Sequence, residues 1–574
     1  RHILCALILV VCDLIATRKV IASGQHNHEH FCNLCHCTRS VHGYKNTDFH
    51  NWERRTHTLT GPELQMNGLP VQHRLIGIPS FHKLASGGQN CFAFHILIWC
   101  VVVDPMHNLF LGLLKEHFTG LLGIDLPKEE KSAILAISFG PFPSNMSQKD
   151  KDGVEKLRGW LERPYTSIFP PDQEKAINKL MRPQRSLQPE VNRTGADTAT
   201  QHATLGDPAW MTSIPSHLGS PSHGKLKADQ WRIAGTVHLP LSLIRLWGST
   251  AQDSGRSVRC RQILNATMSL VSAIIVATSQ TITAENAEVY LTYMLDYLNN
   301  VKSLFPEYSF CPNHHMALHI YEFLLSFGPV HSWWTYPFER MIGIIQRMPN
   351  NGRIGELEET IAHAYTRAAN LRTLPSRIGC PQVIENSRSI LEHLIASQAR
   401  NSLSTDIQAL SDQFKGPTAQ LKCLQSSVFT PELRSAFVRA GIPIETRAQS
   451  LSHLTINGLT YATSSKHAGN SCALVLFPGS QQVVPCQIAY IIQYEVEETT
   501  KLYLGVRHHK PASIICDPYL QYTALRAKIW DSGLDNLEVT EMSSIQSHFA
   551  CLPLCVEGKD LVVVISLSRV ILID

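Results

Sequence analysis

Ten apolar residues in unbroken succession, Ile3-Leu4-Cys5-Ala6-Leu7-Ile8-Leu9-Val10-Val11-Cys12, open the chain and end abruptly in Asp13. A run this short, rich in Ile, Leu and Val and without polar alternation, suits a strand covered on both faces, as in a parallel sheet flanked by helices. That places the start of the chain in an α/β fold, with Asp13 just outside the sheet, where sites in such folds gather. Arg1 ahead of the run gives it the outline of a signal peptide, but the carboxylate at its end and the want of a small-residue cleavage site favour the strand. Because the run begins without a start residue or a preceding element, the chain is expected to be a fragment of something longer.

The rest of the 574 residues can be divided by composition. Residues 1–125 read as mixed α/β, with a second apolar segment, Phe92 to Val103, ending in Asp104. Residues 126–310 read as mainly helical, interrupted at about 184–224 by a Ser, Thr, Pro and Gly-rich linker. Residues 311–375 continue with helical spacing, 376–470 are polar and weakly patterned, and 471–574 turn to short apolar runs that predict a small separate β domain. A hydrophobic share of 44% supports real cores. Lys+Arg 51 against Asp+Glu 47 gives a net charge of only +4, so any contact with nucleic acid must come from local patches. No apolar run reaches the roughly 18 residues of a membrane span, so the protein is expected to be soluble, with no membrane partner.

Sixteen cysteines in a chain of this size do not make a disulfide scaffold. Their densest group lies in His26, His28, His30, Cys32, Cys35, His36 and Cys37. Thiolate and neutral imidazole are the donors zinc prefers, and Cys32-x-x-Cys35 is half of a structural site. No second Cys-x-x-Cys follows, so Cys37 and His30 are the first choices for the missing ligands, with His42, His50 and His57 behind them. His315 and His319, spaced i and i+4, could ligate from one helix face, but without a general base between them they read first as core histidines. Trp333, Trp334, Tyr336 and Phe338 could stack on bases, although such clusters are more often core packing. By spacing alone Asp13, Asp104 and Glu339 read as caps or loop residues, and His107 shares a turn with Asp104.

Several segments, taken in order, carry more than their spacing. Cys12-Asp13-Leu14-Ile15-Ala16-Thr17-Arg18-Lys19 is followed by the Cys-x-x-Cys and by Asp104-Pro105-Met106-His107-Asn108-Leu109-Phe110-Leu111-Gly112. Then come Leu226-Lys227-Ala228-Asp229-Gln230-Trp231-Arg232 and Gly328-Pro329-Val330-His331-Ser332-Trp333-Trp334-Thr335-Tyr336-Pro337-Phe338-Glu339-Arg340. Together they resemble the transposases of CACTA (En/Spm) DNA transposons, especially those of basidiomycete fungi, over roughly residues 5 to 375. The resemblance implies an RNase H-like core of the DDE class that uses Mg²⁺ or Mn²⁺ to cleave double-stranded DNA at transposon ends and transfer the strand. On it, Asp13 is the preferred second catalytic carboxylate and Glu339 the third. Asp104 and His107 match an Asp-x-x-His signature that supports the site or supplies a carboxylate itself. The helical stretch becomes an insertion in that core. Trp231, Arg232 and Arg340 become candidate DNA contacts by analogy with related transposases.

Two departures from the family stand out. Ile15 replaces the usual Pro, and the first catalytic Asp belongs on an earlier strand, for which only twelve residues precede Asp13. The chain as given is therefore expected to be truncated at its N-terminus and inactive, because two-metal chemistry fails when one carboxylate is lost. The other reading is a catalytically dead, transposon-derived protein that binds DNA or partners through zinc. A hydrolase built on His107 or on His315 and His319 is not favoured, since no nucleophile and base are recognisably paired. Nuclear residence, and possible homo-oligomers, follow from the implied function alone.

Overall fold

The apolar run does become a strand at its end: Val10–Cys12 (β1) pairs in parallel with Val101–Val103 (β2), Val10 opposite Val101 and Cys12 opposite Val103. The protein is seen here in a computed structural model that describes residues 10–12, 28–55, 101–122, 208–212, 214, 226–248, 255–348, 353, 356–373, 425–426, 430–442, 448–456, 458–496, 499–514, 516–556 and 558–568. Among these, β1 and β2 are the only parallel pair, and the fold combines helices with a larger antiparallel sheet. Two units are distinguished. One comprises Arg1–Trp333, Leu421–Leu454 and Thr460–Asp574, the other Trp334–Gln420 and Thr455–Leu459.

In the first unit the chain leaves β2 through Asp104 into Met106–Leu114, a helix of the wider π winding. Its sequence buries Met106, Leu109, Phe110, Leu113 and Leu114. Helices α1 (Ala228–Ile233) and α2 (Leu239–Trp247) flank a second π-wound stretch, Ala234–His238. Gly235 lets Leu114 pack close to the backbone there, since a Cβ would lie 2.8 Å from Leu114 Cδ2.

Helix α3 (Gly255–Ala277) exposes Arg259, Arg261, Gln262 and Asn265 in its first half and is mostly buried from Ala266 onward. Its segment Val258–Ala277 is by length and composition long and apolar enough to cross a membrane, against the expectation that no run would be. Most of that segment is buried within the protein, as in the core helix of a globular fold. Helix α4 (Ala284–Leu304) starts at Thr283, whose hydroxyl accepts from Asn286 N while Asn286 Oδ1 accepts from Thr283 N. It buries Ala287, Tyr290, Leu291, Met294, Tyr297, Leu298 and Val301, a stripe at three- and four-residue steps. Helix α5 (Pro312–Phe327) has Pro at its first turn, where no N–H is missed, and Gly328 at φ +72 beyond its end. The Tyr290 hydroxyl donates to Ala317 O at 2.8 Å and ties α4 to α5.

The C-terminal strands close into a barrel. Cys472–Leu476 (β7), Val483–Val496 (β8), Thr499–Pro511 (β9), Ala527–Leu534 (β10), Lys559–Ser566 (β13) and Ile545–Val556 (β12) pair antiparallel in that cyclic order, and β12 returns to β7. The short strands β3 (Gln425–Ser426) and β4 (Ala448–Leu451) precede these in the chain and extend the sheet beyond β8, β5 (His453–Ile456) and β6 (Leu459–Ala462) form a separate pair, and β11 (Glu538–Glu541) follows β10 and pairs with β9.

β8 and β9 are long enough to serve two neighbourhoods. The first half of β8 pairs with β7 and the second with β4, while β9 pairs with both β10 and β11. One extra residue on β8 between Ile488 and Tyr490 makes a bulge at the changeover. Gly505 faces it, where a Cβ would lie 3.1 Å from Tyr490 Cβ. Under the outer half, Leu433, Ala436 and Phe437 of α6 (Pro431–Arg439) pack on Ile492, Tyr503 and Leu537. The barrel belongs to the same unit as the helices, and Tyr519 and Tyr522 bond to Leu241 O at 3.1 Å and Asn265 Oδ1 at 2.9 Å.

The second unit carries helices Tyr336–Ile345 and Leu357–Thr373. The first of these has no buried side chain among its residues, and Phe338, Met341 and Ile342 are exposed.

Candidate metal centre

The centre is built from two pieces of chain 280 residues apart. The first is a knuckle. Leu34 N donates to Cys32 Sγ at 3.3 Å, His36 N donates to Glu53 O at 2.9 Å, and Arg55 N donates to Leu34 O at 3.0 Å. Buried Arg55 then donates its Nε to both Cys32 O and Cys35 O at 3.0 Å. Those two carbonyls turn inward beside the thiols, and the guanidinium satisfies groups that would otherwise be buried unpaired. The second piece is α5, where the four-residue step from His315 to His319 puts both rings on one face.

The pieces meet at four buried donors: Cys32, Cys35, His315 and His319, whose ligand atoms all lie within 4.8 Å of one another. Cys32 Sγ is 3.3 Å from His319 Nε2, and Cys35 Sγ is 3.4 Å from His315 Nε2. A tetrahedral zinc ion with ordinary Zn–S and Zn–N lengths has S···N edges of about 3.6 Å. The tetrad is therefore close to that polyhedron and can hold a metal such as zinc. Two thiolates and two imidazoles suit zinc and disfavour magnesium, which takes oxygen donors. Four protein donors also leave no open position, so such a centre ties the fold together and does not activate water.

The walls are aromatic. Trp52 stacks on His315 with ring centroids 4.3 Å apart, and Phe31 meets the same ring edge-on at 4.8 Å. Burial pushes the His315 pKa down. Burial pushes against charge at His319 too, but the neighbouring Cys32 and the Glu322 carboxylate outweigh it and raise that ring to about 9. Cys32 is held low against its own burial by hydrogen bonding with Cys35 and by the His319 charge, and Cys35 is raised in turn, first by Cys32 and then by Cys37.

The other expected ligands fall outside this set. His30 is exposed, and its N–H donates to His28 Nδ1. Cys37 is buried near Cys35 but lies outside the four-atom cluster, its sulfur 3.9 Å from Asn46 Nδ2. His42 accepts from Thr38 N at 3.0 Å, and His50 is exposed. His26 and His57 lie outside the described residues. His315 and His319, read first as core histidines, are the missing half. The signal for them was the i and i+4 pair itself, set against a Cys-x-x-Cys that lacked two partners.

The carboxylate candidates are distributed differently. Asp13 lies outside the described residues. Asp104 is buried immediately after β2; it accepts from the N–H of Met106 at 3.3 Å and of His107 at 3.0 Å, and pairs with His107 Nδ1 at 2.5 Å. The His107 side chain is partly exposed. Glu339 is exposed in the first turn of Tyr336–Ile345, in the second unit, and Arg340 follows it half-buried.

Of the expected DNA contacts, Trp231 is corrected. It is 1% exposed, so neither ring face is open to a base, and its size and apolarity place it in the core of the helical body. Arg232 is half-buried and donates its Nε to Asp229 Oδ1 at 2.8 Å. Trp333 is also core, its indole N–H bonded to Gly328 O at 3.1 Å. No family model matches the chain, and no curated protein or solved structure matches it either.

Proposed function

We propose that the chain is by descent a DNA transposase of the CACTA type, with an RNase H-like core in which Asp13 and Asp104 hold Mg²⁺ or Mn²⁺ for cleavage and strand transfer at transposon ends in the nucleus. The observation that carries this reading is the register of β1 on β2. Cys12 is opposite Val103, and the residues bonded next to them are Asp13 and Asp104. Carboxylates following paired residues of adjacent parallel strands suit a shared divalent cation, since neighbouring strands run about 4.8 Å apart. When bound, such ions activate the attacking oxygen and neutralise the leaving one. Asp104 holds His107 at the same strand end, ready to orient a water or a phosphate oxygen. On this reading the Cys32, Cys35, His315 and His319 tetrad holds Zn²⁺ and braces the core.

Iron-mediated cleavage tests the carboxylate site. Fe²⁺ substituted for Mg²⁺ and supplied with ascorbate and peroxide should cut the backbone beside residues 13 and 104, and Asp13→Asn should abolish both cuts. Cutting elsewhere, or nowhere, sinks the proposal.

The closed tetrad favours a second reading, a catalytically dead descendant that binds DNA or a partner through a zinc-braced surface. It predicts duplex binding that zinc chelation removes and magnesium does not alter.

A further inference from the structure

We propose that Glu322 is a positioning residue of the metal centre, setting the tautomer and angle of His319. The inference rests on the reading that the tetrad binds zinc. The two ligand histidines are supported unequally. His315 Nδ1 is buried without a hydrogen-bond partner, and its ring is held by stacking on Trp52. His319 has Nε2 aimed at Cys32 Sγ, while Nδ1 lies 2.8 Å from Glu322 Oε2. A carboxylate in that place accepts from Nδ1–H and leaves the Nε2 lone pair facing the metal, and it makes the imidazole a stronger donor.

Glu322 does not rest on α5 alone. Its Oε1 accepts from Arg54 Nε, and Arg54 belongs to the strip that zips the cysteine knuckle. The Arg54 guanidinium lies 4.3 Å from the Phe49 ring centroid and donates to Phe49 O at 3.3 Å and Trp52 O at 3.2 Å. The cysteine-bearing segment therefore fixes the carboxylate that fixes a histidine ligand, and both halves of the site are aligned by one side chain.

The test is zinc affinity of the full chain, measured by competition with a chromophoric chelator. Glu322→Ala should weaken binding about 10–100-fold, the usual cost of removing such a partner. Glu322→Gln, which can still accept from Nδ1–H, should recover most of it. In a His319→Cys background, where no ring remains to be oriented, Glu322→Ala should change nothing. An unchanged affinity in Glu322→Ala, or an equal loss in the His319→Cys background, overturns the proposal.

If His319→Cys holds no zinc, the cobalt-loaded protein decides. Its ligand-field bands should shift in Glu322→Ala and return most of the way in Glu322→Gln, and bands unmoved by Glu322→Ala overturn the proposal. Failure of the underlying reading shows separately, as an unmodified chain that binds no zinc at one ion per molecule.

Discussion

The Cys/His centre and the carboxylate set make opposite use of the same chain. Thiols and imidazoles tolerate burial when they share a cation, so Cys32, Cys35, His315 and His319 are all enclosed and walled by rings. The carboxylate candidates do not gather in this way: Asp104 is buried after a strand and satisfied locally by two backbone N–H groups and His107, and Glu339 is exposed in the first turn of a helix in the other unit. The difference teaches that a metal site of soft donors can be recognised by its closure, whereas a buried carboxylate satisfied by its own turn leaves no such mark.

The strongest way to break this contrast is Cys35→Ser. Structural zinc contributes on the order of 10 kcal/mol of binding free energy to the folds that need it. The variant should lose its zinc and leave 28–55 unprotected in hydrogen exchange, and retention of both would show that the tetrad is only packing. Next in size is Trp333→Ala in the core, expected to cost about 3–5 kcal/mol in denaturant unfolding.

Acid should come third. Burial lowers His117 to about 3 and His314 to about 4, and both stay neutral when folded. The His117 ring lies between Thr267 Oγ1 at 2.9 Å and the Tyr297 hydroxyl at 3.3 Å. Their contribution is fully present above the unfolded value near 6.5. It is lost as pH falls and the unfolded chain alone takes up the proton, by about 2 kcal/mol per histidine at pH 5. His117→Gln should remove about 2 kcal/mol of the loss between pH 7 and 5 and leave the His314 share, and a loss unchanged by the substitution would overturn the assignment. The smallest effect belongs to Glu339→Gln, which should move stability by less than about 0.5 kcal/mol, as exposed positions do. A large stability loss would place Glu339 in the structural class.

Much of this was legible in the residues. The strand ending at Cys12, the runs that became β7 and β13, and half of the metal centre follow from periodicity and donor chemistry. Its other half did not, because ligand pairing over 280 residues depends on tertiary approach and no local pattern encodes it. His30 was favoured for its nearness in sequence, which says nothing about burial. Trp231 misled for a related reason: an indole suits a stacking surface and a core equally, and only the packed neighbours choose. The barrel's closure was equally silent, since it rests on β8 and β9 each pairing with two sets of partners.

The distance between the two halves of the centre also has a meaning in time. At ribosomal rates of roughly 5–20 residues per second, about 15–60 s separate the appearance of Cys35 from that of His315. Through that interval the thiol pair is a two-coordinate trap, open to oxidants and to softer metals such as copper. The centre can close only after α5 has emerged, so the growing chain depends on a reducing surrounding and a metal buffer long before it has anything to fold against.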